Sequence, residues 1–277
     1  MREFTEETLT EAVVARLARC EDPRFRQIMT TLIRHLHGFI REVALTEAEW
    51  MEATQFLTAT GQKSAGDRQE FILLSDVLGV SMLVDAINHR KPSGATESTV
   101  LGPFYAEGAP ELPPGADIAH GGPGDPTEVS GRVLTADGKP IKGAILDVWQ
   151  TAANALYSTQ DPKQDRFNMR GRFKTDDKGA FHFRTVKPVS YPVPIDGPVG
   201  KILNAMGRHP MRPAHIHFIV SAPGFEPVAT HLFVNGDPYL DSDVVFAVKN
   251  SLVVDFKPKP GAKTLAINYD FGLKPAA

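Results

Sequence analysis

The apolar pattern changes period once along the chain, and that change decides what each half can fold into. Between Arg24 and Arg41 the residues Phe25, Ile28, Met29, Leu32, Ile33, Leu36, Phe39 and Ile40 recur at three and four, which describes one face of a helix. Thr5–Ala18, which opens with Thr-x-x-Glu and is stopped by Asp22-Pro23, reads as a helix ahead of it. Thr46–Thr58 and Gln69–Asn88 read as two more, separated by Thr60–Gly66. Pro and Gly then crowd residues 92–126, a linking or wrapped segment whose Ser98–Tyr105 portion is apolar enough to pack. From Val129 the runs VSGRVLT, GAILDVWQ, AFHFRTV, AHIHFIVSA, ATHLFVNGDP, VVFAV, LVVDF and LAINYDF alternate with turns such as ADGKP and DDKG. The expected fold is mainly β: an all-α N-terminal domain over residues 1–95, then an antiparallel β-sandwich over 96–277 that carries the chemistry.

Within the β half, Met211-Arg-Pro-Ala-His-Ile-His-Phe218 places His215 and His217 on one face of a strand, about 6.6 Å apart along it. Ile216, Phe218 and Val220 face the opposite way, into a core, and Pro213 marks the start of the strand. Taken alone, H-x-H describes either a chelating pair or two polar residues facing solvent. His35 and His37 share the spacing on a helix, where they diverge by about 200°, so both are read as structural. Tyr157 follows GAILDVWQ and the turn-forming TAAN, in a loop leaving a sheet edge, and Tyr191 sits in KPVSYPVP, stiffened by prolines. Either phenol is also compatible with a buried residue whose hydroxyl is satisfied.

A single cysteine, Cys20, excludes a disulfide framework and a thiolate cage, and is expected to pack as a small apolar residue. A formal net charge of -3 argues against nucleic acid or an acidic membrane as partner. The acidic start MREFTEETLTEAV has no apolar core of a signal peptide, and no run of 18 apolar residues occurs, so the cytoplasm is the expected compartment.

Four motifs in order, LDVWQ with Tyr157 beyond it, KPVSYPVPIDGPVG, RHPMRPAHIHFIVSAPG and THLFVNGDPYLDSD, resemble the intradiol ring-cleaving dioxygenases over roughly residues 20–257. The resemblance implies an enzyme that binds iron(III) through Tyr157, Tyr191, His215 and His217 and splits a catechol with O2 between its two hydroxyl-bearing carbons. Phenolate oxygens suit a hard Fe3+ ion, and its charge is what would drive a group of ordinary pKa near 10 to ionise. By motif position Tyr191 is the tyrosinate that leaves and takes a substrate proton, while Tyr157 stays bound. Arg212 stands where the family has an arginine that stabilises negative charge on substrate. His231 stands at a position that is often glutamine, either assisting the oxygen chemistry or supporting the ligands from behind.

KPVSYPVPIDGPVG and MGRHPMRPAHIH are most similar to the hydroxyquinol-cleaving branch, which converts benzene-1,2,4-triol to 3-hydroxy-cis,cis-muconate, the enol form of maleylacetate. Carried over by motif position, the substrate pocket uses Leu73, Asp76, Val100, Leu101, Gly102, Pro103, Phe104, Val193, Pro194 and Arg212. Asp76 would accept a hydrogen bond from the third hydroxyl; its alternative is a surface charge on a helix. A catechol or chlorocatechol 1,2-dioxygenase is the nearest rival, and a non-catalytic sandwich holding structural zinc is a rival of another class. The resemblance also implies a homodimer built through the helical domain and allows a phospholipid there. Asn154-Ala-Leu-Tyr157 departs from relatives that carry Gly and an aromatic before the tyrosine, which puts the backbone of that loop in question.

Overall fold

The structure, a computed structural model, describes residues 3–66, 68–90 and 94–276. It divides into two compact units, Met1–Thr58 and Ala59–Ala277. In the first, α1 (Leu9–Ala15) is shorter than its pattern and passes into a 3-10 turn over Arg16–Arg19. The expected cap does not form: Thr8 caps α1 without a side-chain bond, and Glu11 is drawn instead to Arg34 at 2.9 Å. In α2 (Pro23–Glu42) Pro23 occupies the first turn, where its missing N–H is not needed, and Asp22 accepts from Arg24 N and Phe25 N at 2.8 and 3.1 Å. His37 meets Thr10 Oγ1 at 3.1 Å, a structural contact. α3 (Glu47–Lys63) runs past Thr58 and through Gly61, opened by a reciprocal box in which Thr46 N donates to Glu49 and Glu49 N to Thr46 Oγ1 at 2.9 and 3.3 Å.

The single helix expected over Gln69–Asn88 is two, α4 (Glu70–Val77) and α5 (Val80–Asn88). Gly79 breaks it by adopting φ 73°, and a Cβ there would add left-handed strain. The Pro/Gly segment then wraps the sandwich as its apolar content implies: Leu112 N, Gly115 N and Ile118 N donate to Arg172 O, His182 O and Arg184 O, and Ile118 is fully buried.

The strands are β1 (Pro126–Thr135), β2 (Ile145–Trp149), β3 (Arg170–Lys174), β4 (Ala180–Val186), β5 (Tyr191–Pro192), β6 (Met211–Arg212), β7 (His215–Ser221), β8 (Val228–Val234), β9 (Val253–Val254), β10 (Lys257–Pro258), β11 (Leu265–Asn268) and β12 (Phe271–Leu273). One sheet has the order β10-β11-β1-β12, with β4 also on β1; the other runs β3-β2-β7-β8-β9; β5 and β6 form a separate ribbon. Val129, Phe183 and Phe271 of the first sheet meet Leu146, Phe218 and Leu232 of the second in one buried core, so the sandwich stands. It is mixed rather than purely antiparallel. β1 pairs in parallel with β11 and β12, and β8 with β9, because the chain end returns over the sandwich to lie beside β1. That return requires glycine at 131, where a Cβ would lie 1.8 Å from Tyr269 O.

One local expectation is corrected, and two elements were not anticipated from the sequence. VVFAV is a loop, not a strand: Asp243 collects Val245 N and Ala247 N at 3.4 and 3.0 Å, and Phe246 turns back at φ 60°. β3 is a strand although RGRFK shows no apolar alternation, since Gly171 lies too close to Leu112 and Ile118 to carry a side chain. α6 (Pro198–Ala205) is a helix inside the β unit, with Val199 N held by buried Glu70 Oε1 at 3.1 Å. Among the described residues no helix is long and apolar enough to cross a membrane.

Candidate metal centre

Strand register builds one row of rings on the outer face of the second sheet. β7 sets His217 opposite Trp149 of β2 on one side and opposite His231 of β8 on the other, with His215 opposite Phe233. Ile216, Phe218 and Val220 enter the core from the alternate face, as the period of two requires. Trp149 stacks on the His217 imidazole at 4.6 Å and 12°, and the His231 ring lies 4.1 Å from it.

Two tyrosines reach this face from loops. Ahead of Tyr157, Ala155 adopts φ 64°, the left-handed conformation that glycine takes without strain, at a cost of about 1–2 kcal/mol. Asn154 secures that turn, accepting from Leu156 N at 3.2 Å and donating to Asp161 at 2.9 Å. The departure at Asn154-Ala-Leu-Tyr157 therefore leaves the phenol in place. Tyr191 lies on β5 directly opposite Arg212 of β6, so the proline-stiffened segment and the one leading into β7 form a single ribbon.

The four side chains converge. Tyr157 Oη is 3.0 Å from Tyr191 Oη and 2.9 Å from His217 Nε2, which is 3.1 Å from His215 Nε2. Donor atoms sharing one ion at about 2.0–2.1 Å stand roughly 2.9–3.4 Å apart, and these three separations fall in that range. His215 Nδ1 donates to Pro213 O at 2.7 Å, which leaves its Nε2 lone pair for a ligand bond. His231 Nδ1 is engaged by Thr99 Oγ1, while its Nε2 is buried without a hydrogen-bond partner beside the other two imidazoles. An orphaned nitrogen there is what a polar group or ion would satisfy.

Burial sets the electrostatics. It holds His215, His217 and His231 well below the usual histidine range, assisted by the Arg212 charge at the first and by neighbouring imidazoles at the others. All three are neutral, the form that binds metal. The same burial pushes Tyr157 well above the usual phenol range, with Tyr191 adding to the effect, and raises Tyr191 despite Arg212. Neither phenol ionises near neutrality unless a cation arrives. Arg212, only 3% exposed, keeps its charge: burial opposes it, but Asp243 and the phenols prevail. Its Nη1 donates to Tyr191 Oη at 3.4 Å and lies 3.4 Å from His215 Nε2.

The family described as Dioxygenase matches residues 100–275, and that described as Catechol dioxygenase N terminus matches residues 22–96. The chain belongs to the intradiol ring-cleavage dioxygenases. It is 52% identical over 275 residues to the 6-chlorohydroxyquinol 1,2-dioxygenase of Cupriavidus pinatubonensis, covering 99% of each chain. Identity to the hydroxyquinol 1,2-dioxygenase of a Rhizobium species is 54% over 255 residues, 92% of this chain and 86% of that one. The solved hydroxyquinol 1,2-dioxygenase of Pseudomonas putida DLL-E4 superposes with a TM-score of 0.92 at 50% identity, covering 98% of this chain and 99% of the other.

Around this intradiol dioxygenase centre the carried-over pocket positions fall into two groups. Leu73, Val100 and Val193 are buried in one apolar cluster with Val244 and Val245, and Asp76 is buried at 4% exposure. Burial raises the Asp76 carboxyl, against a Ser81 hydrogen bond and the Arg212 charge, so the surface-charge alternative for this residue falls. Gly102 lies against the imidazole, its missing Cβ 3.5 Å from His217 Cε1, and Phe104 stacks on Tyr157 at 4.7 Å. Pro103, Phe104 and Pro194 line an open cleft of about 800 Å3, and Leu101 is 42% exposed. Three residues at the centre escaped the sequence reading: Trp149, Arg170, whose guanidinium lies 5.9 Å from the Tyr157 ring, and Asp243. Trp149 and Asp243 each lie within a motif quoted above, LDVWQ and THLFVNGDPYLDSD, whereas Arg170 had no signal.

Proposed function

We propose that the chain is an iron(III) hydroxyquinol 1,2-dioxygenase, with Tyr157, Tyr191, His215 and His217 as ligands, producing 3-hydroxy-cis,cis-muconate from benzene-1,2,4-triol and O2. The observation that carries the reading is the buried chain of four donor atoms at 2.9–3.1 Å. Iron(III) bound there would supply Lewis acidity, holding the substrate as a catecholate and making its ring reactive toward O2.

The rest falls to the chain's own residues. Tyr191 Oη takes the substrate proton, and Arg212 Nη1 beside it steadies both that phenol and negative charge on the ring oxygens. Tyr157, pinned between His217 and Phe104, stays as the retained ligand. His231 supports the pair from the adjacent strand. Leu73, Val100 and Val193 exclude water from the ring face, and Asp76 accepts the third hydroxyl.

In an anaerobic titration of the iron-loaded protein, hydroxyquinol should shift the visible tyrosinate-to-iron band, and O2 should then release 3-hydroxy-cis,cis-muconate. Asp76→Ala should lower kcat/KM for hydroxyquinol by about 5- to 150-fold, the worth of about 1–3 kcal/mol for an unpaired buried hydroxyl, with catechol changed less than about twofold. Equal losses for the two rings would remove Asp76 from specificity. A colourless protein that opens neither ring would sink the whole reading.

With residues 1–95 as dimerisation domain and 96–277 as catalytic domain, the proposal extends to a cytoplasmic homodimer. Support comes from α2, whose Phe25, Ile28, Leu32, Leu36 and Phe39 form an exposed apolar row, a surface suited to a second copy and to the acyl chains of a phospholipid. Light scattering should give twice the 30.2 kDa chain mass, and mass spectrometry of an organic extract should find the phospholipid. A monomer at all concentrations would end the dimer reading.

A further inference from the structure

Arg212 presents only one nitrogen, Nη1, to the ligand atoms. Its other edge is occupied: Nε and Nη2 lie 3.2 and 3.4 Å from Oδ1 and Oδ2 of Asp243, fork against fork. Both side chains are almost fully buried, and among the described residues Asp243 is the only carboxylate in ion-pair contact with Arg212. The same carboxylate draws in Val245 N and Ala247 N, folding residues 243–248 into the loop whose Val244 N donates to Met211 O of β6 at 3.2 Å. Its two oxygens thus address the arginine and the backbone of this loop together.

We propose that Asp243 is the positioning residue of the site: it fixes the guanidinium plane so that Nη1, and no other donor of Arg212, points at Tyr191 Oη and His215 Nε2. An arginine side chain has freely rotating bonds, and a donor displaced by about 1 Å loses most of its value to a developing charge. The bidentate pair removes that freedom before substrate binds. The inference rests on the reading of Arg212 as charge stabiliser beside the proposed ligands Tyr191 and His215.

A double-mutant cycle on the iron-loaded enzyme tests it with hydroxyquinol as substrate. Arg212→Gln and Asp243→Asn should each lower kcat by about 10- to 100-fold with KM changed less than about threefold. If Asp243 acts through Arg212, the double variant should be no slower than Arg212→Gln alone; losses that multiply would overturn the proposal, because Asp243 would then act through the loop. Asp243→Asn leaves a buried cation unpaired and can fail to fold, whereas the double variant is neutral at both positions and keeps that arm readable. A second arm needs no iron. In metal-free protein carrying 15N-arginine, the Arg212 Nε–H resonance, assigned by its loss in Arg212→Gln, should exchange with water at least about tenfold faster in Asp243→Asn. Unchanged exchange overturns the positioning role. A full-rate Arg212→Gln removes the charge-stabilising reading instead and leaves Asp243 to be decided by the exchange arm.

Discussion

Tyr157→Phe is expected to abolish ring cleavage and to lower iron(III) affinity by more than about 100-fold, since even hydrogen-bond partners of a metal ligand are worth roughly 10–100-fold. The phenol is the middle of the donor chain, bonded to Tyr191 Oη on one side and His217 Nε2 on the other, so its loss opens both gaps. The ring itself is retained in the variant, and its stacking on Phe104 continues to fill the loop, so stability should change little. Tyr191→Phe should behave differently, keeping iron and part of the visible band while losing kcat, because its proposed work is proton acceptance. Chelator competition and the visible spectrum measure both; equal iron loss in the two variants would contradict the division of labour.

The buried phenols add a pH signature to the same variant. Burial raises both tyrosines and lowers the three histidines, so the metal-free site carries two phenolic protons and no imidazolium at neutral pH. Binding must displace the phenolic protons, and affinity must therefore rise with pH throughout the range below the phenol pKa values. Delivery of iron(III) from a chelate of known protonation into weakly buffered protein should release about two protons per site, and about one in Tyr157→Phe.

Periodicity made the strand of His215 and His217 readable because a period of two leaves no choice about which residues share a face once Ile216 and Phe218 are assigned to a core. The tyrosines were different. Nothing local to Tyr157 or Tyr191 separates a ligand from a satisfied core phenol, and only the resemblance of whole motifs brought them to the pair. Trp149 was illegible for a further reason: its place against His217 comes from the pairing of β2 with β7, a non-local register that no single segment encodes. VVFAV misled because β-branched residues fit any half-buried surface, and one acidic side chain, Asp243, supplied the backbone bonds that a neighbouring strand would have made. The helix break at Gly79 was missed because a single glycine within an apolar run does not by itself end a helix, and the cap at Thr8 failed to form because Glu11 was drawn to Arg34 across the two helices.

Phe218→Ala should cost about 3–5 kcal/mol of stability, a large part of the 5–15 kcal/mol available to a folded domain. Phe218 is fully buried, its ring 4.9 Å from Phe271 and 6.3 Å from Phe183, so it spans the interval between the two sheets. Truncation leaves a cavity lined by rings on the opposing strands β4 and β12, which cannot collapse without pulling the sheets together. The residue is also the immediate neighbour of His217, yet it projects from the opposite face of β7, and the two consequences should separate. Urea unfolding of the metal-free variant should show a lower midpoint with an unchanged slope, removing the contribution of metal binding from the comparison. The folded variant, at low denaturant and loaded with iron, should keep the visible band of the parent, because the backbone hydrogen bonds of β7 to β2 and β8 hold His217 opposite Trp149 and His231 without help from the side chain at 218. A shifted band with an unchanged unfolding midpoint would mean that the core face and the ligand face of this strand are coupled through more than the pleat.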